Sequence, residues 1–347
     1  MINQEASSQD HHHRHPGEHE LHADDTQQVP GIEEWIMQIK ETADKLQRDN
    51  ASRGDVKLLS TALRELRYCF KVFKAYQYAR KVTVFGSARL QPEDASYQAA
   101  VDFSRQIASQ GYMVITGAAH GIMEAGHVGA GRDMSIGINI LLPFEQTSNP
   151  IIEGDPKLMH LKYFFTRKLL FVKETDAVAL YPGGFGTLDE GFETLTLVQT
   201  GKSHLFPILF IEEPGGNFWH PMLDFIHNRL LARKLISPAD LSLFRYTDSV
   251  ATAVSEITTF YRHFHSMRYV HNDLYLRLNR KIPDTILARI REEFSDIVVS
   301  GTFHMTTAHP YEANEPHLAN LPRLKFHFDR RNVGRLRQLV DLINQIN

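Results

Sequence analysis

An apolar run, Ala177-Val178-Ala179-Leu180-Tyr181, leads into Pro182-Gly183-Gly184-Phe185-Gly186-Thr187-Leu188-Asp189-Glu190, and a helical pattern follows. That order reads as a strand, a glycine-rich turn and a helix N-terminus. Three glycines in four positions exceed what a tight strand–helix turn requires. Such a turn exposes backbone N–H groups beside the positive end of the helix dipole, which suits a phosphate. Thr187 reads as the N-cap and Glu190 as an acid in the first turn.

The same grammar recurs along the chain. Residues 82–85 form a short apolar strand that enters Gly86-Ser87-Ala88, and residues 112–115 form another that enters Gly117-Ala118-Ala119-His120-Gly121. Strands are also expected over 135–141 and 207–211, with helices over about 161–173, 218–229 and 250–261. Alternating short strands and helices predict an α/β fold, a Rossmann-like doubly wound parallel sheet. Ligands in such sheets sit beyond the carboxyl ends of the strands, so the Gly86, Gly117 and Gly183 turns describe one site.

Four segments are expected. Residues 1–30 are polar and carry His11, His12, His13, His15, His19 and His22. They read as a disordered, solvated tail, with a loose metal-binding tract as the alternative. Residues 31–80 read as a helical pair. One apolar face holds Trp35, Ile36, Ile39, Ala43 and Leu46, the other Leu59, Leu63, Leu66, Phe70 and Phe73, with Gly54-Asp55 as the break and cap between them. This pair could cover the main domain or a partner subunit. Residues 81–262 form the nucleotide-binding domain. Residues 263–347 read as a small α+β appendage with strands near 274–278, 302–306 and 324–328 and helices over 283–294 and 333–346. A regulatory ligand-binding role is one reading of that appendage.

Composition narrows the function. The 347-residue chain has a formal net charge of −3, which gives no electrostatic case for nucleic-acid binding. Its single cysteine, Cys69, excludes an internal disulfide, falls in an amphipathic pattern that points to the core, and fits a cytoplasmic setting. No apolar run is long enough to span a membrane. Neither a P-loop motif nor a G-x-G-x-x-G after the first strand is present, so the remaining cradle is of monophosphate size.

Leu188, Phe192 and Leu195 are spaced to face the core, which turns Glu190 and Glu193 the other way, toward the cleft edge or a subunit interface. Arg167-Lys168 lie in an aromatic helix that leads into the Ala177 strand. Arg167 either snorkels from a packed helix or approaches the same ligand, pairing with an anion or with Glu190.

Phe165-Thr166-Arg167-Lys168, the 182–190 block and Gly117-Ala118-Ala119-His120-Gly121-Ile122-Met123-Glu124-Ala125 together resemble the Lonely Guy family, whose members often carry the label lysine decarboxylase. The resemblance covers about residues 81–262. It implies a phosphoribohydrolase that cleaves the N-glycosidic bond of a nucleoside 5′-monophosphate to free base and ribose 5-phosphate, without metal or organic cofactor. By position it makes Arg167 and Glu190 the catalytic pair. Gly183, Gly184, Gly186 and Thr187 would hold the phosphate. Gly86, Ser87, Gly117, Met123, Glu145, Lys168 and Thr196 would line the substrate site. Plant-type members, which act on cytokinin riboside monophosphates, carry a run of glycines where this chain has Thr116-Gly117-Ala118-Ala119-His120. The flanking segments look more like those of larger bacterial nucleosidases, which makes AMP the first-choice substrate. A homodimer or larger homo-oligomer is expected. The competing reading is a non-catalytic nucleotide or molybdenum-cofactor carrier, which would need the cradle but not the Arg167–Glu190 pair.

Overall fold

The computed structural model describes residues 31–141 and 147–346. The histidine-rich stretch 1–30 and Glu145 lie outside the described residues. The chain divides into two compact units, Met1–Leu58 and Leu59–Asn347. In the first, helix α1 (Ile32–Arg48) buries no residue, so the apolar face expected around Trp35, Ile36 and Ile39 is exposed. Helix α2 (Arg53–Lys74) begins in this unit. Its cap is Ser52, whose hydroxyl accepts from Asp55 N at 3.2 Å, so Gly54-Asp55 is the first turn and not the break. Further along, α2 buries Ala62, Cys69 and Phe73, whereas Leu59, Leu63 and Phe70 face outward. The apolar stripe seen in the sequence is therefore offset from the buried one, and Cys69 is in the core as expected.

The second unit is built on seven strands: β1 (Lys81–Phe85), β2 (Met113–Thr116), β3 (Ser135–Ile140), β4 (Leu158–Leu161), β5 (Ala177–Leu180), β6 (Ile208–Ile211) and β7 (Arg245–Thr247). They form one parallel sheet in the order β4-β3-β2-β1-β5-β6-β7. β1, β2, β3, β5 and β6 are buried along their whole length, as both faces of a parallel sheet must be. Helices α3 (Ala95–Ser109), α4 (Ile122–Ala130), α5 (Phe164–Lys173), α6 (Phe185–Gln199), α7 (His220–Phe225) and α8 (Val250–Phe260) alternate with the strands. A π-helical turn, Ile226–Leu231, continues α7. The strand order reverses direction between β1 and β5, and the Gly86 and Gly183 turns leave the sheet on either side of that switch point. Ser87 N donates to Pro182 O at 3.0 Å and locks the two turns together.

A second sheet, antiparallel, contains β8 (Phe264–Val270), β9 (Asp273–Leu278), β10 (His304–Thr306) and β11 (Arg323–Phe326) in the order β10-β11-β9-β8. Helices α9 (Asp284–Glu293) and α10 (Val333–Asn344) accompany it. Leu274, Phe326 and Leu339 belong to the same buried cluster as Val82 and Leu180.

Three strands were not expected. β4 is a short edge strand paired with β3, so the helix expected over 161–173 starts at Phe164. β7 is a three-residue edge strand, and β8 is largely half-buried, so neither has an apolar run to announce it.

Candidate functional site

A cleft of about 680 Å³ opens at the switch point, within the usual range for small-molecule pockets. Gly86, Ser87 and Met123 line one side, and Arg167, Gly184, Gly186, Thr187 and Glu190 line the other. The four small-residue positions of the 183–187 turn have different duties. A β-carbon on Gly183 would strike the Thr187 hydroxyl, so Gly183 lets the helix close onto the turn. A β-carbon on Gly184 or Gly186 would meet nothing within 4 Å. Gly184 has φ −86°, an ordinary value for any residue. Neither packing nor backbone conformation calls for glycine there, and both leave bare backbone facing the cleft.

Helix α6 starts at Phe185 with Gly184 as its N-cap, so Thr187 is the third helical residue and not the cap, and Glu190, the sixth, lies in the second turn and not the first. The face of α6 laid on the sheet is Thr187, Gly191, Thr194 and Val198, not Leu188, Phe192 and Leu195. The helix lies too close for larger side chains, since a β-carbon on Gly191 would come 3.2 Å from Leu180. Leu188 and Leu195 are only partly buried, and Phe192 is exposed. Glu190 is half-buried at the cleft wall. Burial pushes its carboxyl from 4.5 up to about 7, against the pull of Lys168 and Arg167 and with the push of Glu193 and Asp189.

Arg167 leaves α5 with its Nε donating to Ile138 O at 3.0 Å and its guanidinium 5.1 Å from the Phe171 ring centroid. Among the described residues this is the only hydrogen bond of its side chain; Arg167 lines the cleft, with Nη2 lying against Gly117. Burial lowers its pKa to about 10, while Glu190 raises it. Gly117 does not line the cleft. It backs Arg167 and Met123, because a β-carbon there would strike Arg167 Nη2 and sit 2.6 Å from Met123 Sδ. Gly86 is needed for packing, its absent β-carbon lying 2.6 Å from Ile122.

The turn after β2 is held from below by a buried polar network. Ala118 N donates to Thr116 Oγ1 at 2.9 Å, and His127 Nε2 donates to Ile136 O at 3.2 Å. Asn149 Nδ2 then donates to His127 Nδ1 at 3.1 Å and to Ala119 O at 3.1 Å. Burial drives His127 down to about 4, so it works as the neutral imidazole these bonds require.

Besides Gly117, the expected residues Gly183, Lys168 and Thr196 are absent from the cleft lining. Lys168 pairs with Asp189 at 2.7 Å and Glu193 at 2.6 Å. Burial opposes its charge, but those two bonds outweigh it and raise its pKa. Thr196 is exposed further along α6, its hydroxyl donating to Phe192 O at 2.7 Å. Sequence reasoning passed over Arg89, Asp189 and Phe164, which do line the cleft. The signal was their position: Arg89 lies just past the Gly86 turn and Asp189 inside the block itself. Among the described residues no group of acidic, histidine and cysteine side chains could hold a metal ion, and no helix is long and apolar enough to cross a membrane.

The family model described as "Possible lysine decarboxylase" matches residues 115–257. A cytokinin riboside 5′-monophosphate phosphoribohydrolase of Oryza sativa is 32% identical over 154 residues, 42% of this chain and 60% of that protein. One from Arabidopsis thaliana is 31% identical over 166 residues, 46% of this chain and 73% of that protein. This chain thus spans less than two thirds of the rice relative's length. Among solved structures, the molybdenum cofactor binding protein of Rippkaea orientalis aligns with a TM-score of 0.36 at 18% identity, over 52% of this chain and 96% of that one.

Proposed function

The chain belongs to the Lonely Guy family, and on that premise we propose that it hydrolyses the N-glycosidic bond of a nucleoside 5′-monophosphate, AMP first, releasing the base and ribose 5-phosphate in the cytoplasm. The observation that carries this reading is the bare backbone at Gly184 and Gly186 in the same cleft as Glu190 and Arg167. Amides at the start of α6 bind the 5′-phosphate, helped by the helix dipole. The ribose then lies along the first turn of α6, within reach of Glu190. As the bond from C1′ to the base nitrogen breaks, positive charge grows on the ribose, and the ionised Glu190 carboxylate stabilises it. The same carboxylate takes a proton from the water that adds to C1′, and the departing base nitrogen gains a proton from solvent or from the protonated acid. Arg167 binds the substrate through its terminal nitrogens and favours the ionised form of Glu190.

The choice of AMP over a cytokinin riboside monophosphate rests on the departure of Ala118, Ala119 and His120 from the glycine run of the plant-type pattern; these residues lie behind the cleft and do not line it. Phe164 on α5 and Phe185 on α6 line the cleft, and the exposed Phe165, Leu169 and Phe192 on the same two helices support a homodimer that covers them.

The deciding experiment incubates the purified chain with AMP, GMP, CMP, UMP and a cytokinin riboside monophosphate and measures free base and ribose 5-phosphate. AMP is expected to turn over fastest. Release of no base from any of them would refute the enzyme reading and leave the carrier.

A further inference from the structure

A second cavity, of about 280 Å³, lies at the opposite edge of the large sheet, where β1, β5 and β6 begin. Lys81 and Arg80 enter it from the start of β1, and His204 from the segment before β6. His265 on β8 and His317 close it from the C-terminal segment, with Tyr78 beside them. Nothing in the proposed hydrolysis uses these residues.

The charges around this cavity do not balance. Asp176 is the acid lining it, and both of its carboxylate oxygens are occupied. Oδ1 accepts from Arg80 at 3.0 Å, and Oδ2 accepts from the Lys81 backbone N–H at 2.9 Å. The Lys81 ammonium, in a residue only 4% exposed, donates to one group among the described residues, the Ala79 carbonyl at 2.8 Å. An ammonium carries three donors, and a buried one is costly unless they are used. Burial lowers the pKa of Lys81 despite Asp176 and Glu174 nearby. Burial, then repulsion from Arg80 and Arg277, drives His265 down to about 4, so it stands neutral beside the cavity. His317 is exposed and stands edge-on to Tyr78 at 5.1 Å, a pair of rings at the rim.

We propose that this cavity is a binding site for a small phosphorylated molecule, whose phosphate takes the open donors of Lys81 while the rest of the ligand lies against His317 and Tyr78. An oxyanion supplies the acceptors that a buried ammonium lacks, through charge-assisted bonds. The volume exceeds the needs of a lone phosphate and suits a compact organic phosphate at the lower end of the usual pocket range. Because β1 starts at Lys81 and ends just before Gly86, this site and the cleft share a strand.

The test must keep the two anion sites apart. Gly184→Val places a side chain over the bare backbone of the cleft without meeting other protein atoms, and so blocks only that site. Titration of the full-length Gly184→Val protein with inorganic pyrophosphate, followed by calorimetry, is expected to show one equivalent bound. Adding Lys81→Met should weaken that binding at least tenfold, and adding His317→Ala several-fold for ADP. If Lys81→Met does not fold, His317→Ala, a change at an exposed residue, decides. ADP binding tighter than pyrophosphate identifies a nucleotide-like ligand, and equal binding identifies the phosphate group alone. Both support the site. No binding to the Gly184→Val protein, or unchanged binding of both probes in the foldable variants, would overturn it. Neither result depends on whether the cleft hydrolyses nucleotides.

Discussion

Glu190→Gln should make the protein more stable above neutral pH while slowing the proposed hydrolysis. A carboxyl raised from 4.5 to about 7 by burial is held in the folded state against its own ionisation. Between those two values the unfolded chain has released its proton and the folded chain has kept it, so stability falls as pH rises. The contribution is fully present below pH 4.5 and lost by the time pH passes about 7. At 1.36 kcal/mol per pKa unit the loss is at most about 3 kcal/mol, and less to the extent that the half-exposed carboxylate draws solvent. His127 and His265, both driven down to about 4, slope the other way, adding stability as pH rises to about 6.5. The parent curve alone therefore mixes opposite trends, and the informative quantity is the difference between parent and Glu190→Gln. Thermal midpoints measured from pH 5 to 8.5 should show the variant gaining on the parent by on the order of 5 °C at the alkaline end. A difference that is flat with pH, or that grows toward acid, would refute the assignment of a desolvated acid at this position.

The same variant should lose about 10²- to 10⁴-fold in ribose 5-phosphate release, and Arg167→Met on the order of 10²-fold, with fold retained by circular dichroism. Gly186→Val should raise KM for the nucleotide with little effect on thermal midpoint, because its side chain meets only the cleft. Gly117→Ala should instead lower kcat, because its methyl displaces Arg167. Phe165→Asp, at a residue 50% exposed, should convert a dimer to monomer by light scattering; an unchanged mass would place the contact elsewhere. Asp189→Asn with Glu193→Gln removes two charges that push Glu190 up and frees Lys168 to pull it down, so the acid limb of the kcat/KM profile should move to lower pH.

How much of this was legible depended on length and on burial. β2, β5 and β6 are nearly continuous apolar runs and β1 and β3 alternate valine or isoleucine with small or polar residues; all five are buried along their length, because both faces of a central parallel strand are covered, and each was visible in the sequence. β4 and β7 lie at the sheet edges, where one neighbour and three or four residues leave no such run. Helix faces misled for a different reason. On α6 the large apolar side chains Phe185 and Phe192 point outward and Thr187, Gly191 and Thr194 point inward, because the helix lies close to the sheet; on α2 the buried stripe, Ala62, Cys69 and Phe73, is offset from the exposed Leu59, Leu63 and Phe70. An apolar stripe in the sequence therefore does not by itself identify the face that a helix buries in its own core.

The site shows the same limit at finer grain. Arg167 and Lys168 are adjacent, both cationic and both on α5, so spacing assigned them to one pocket. Successive helical residues point about 100° apart, and that angle divides their duties. Lys168 is turned onto α6 and spent on Asp189 and Glu193, which hold the two helices in register. Arg167 is turned into the cleft, anchored by its Nε alone. Had Lys168 paired directly with Glu190, the carboxyl would be held low and would be a poor acceptor of water's proton near neutrality. The neighbouring acids Asp189 and Glu193 keep the lysine occupied and themselves push Glu190 up, so burial holds its carboxyl at about 7, which suits the general-base role proposed for it.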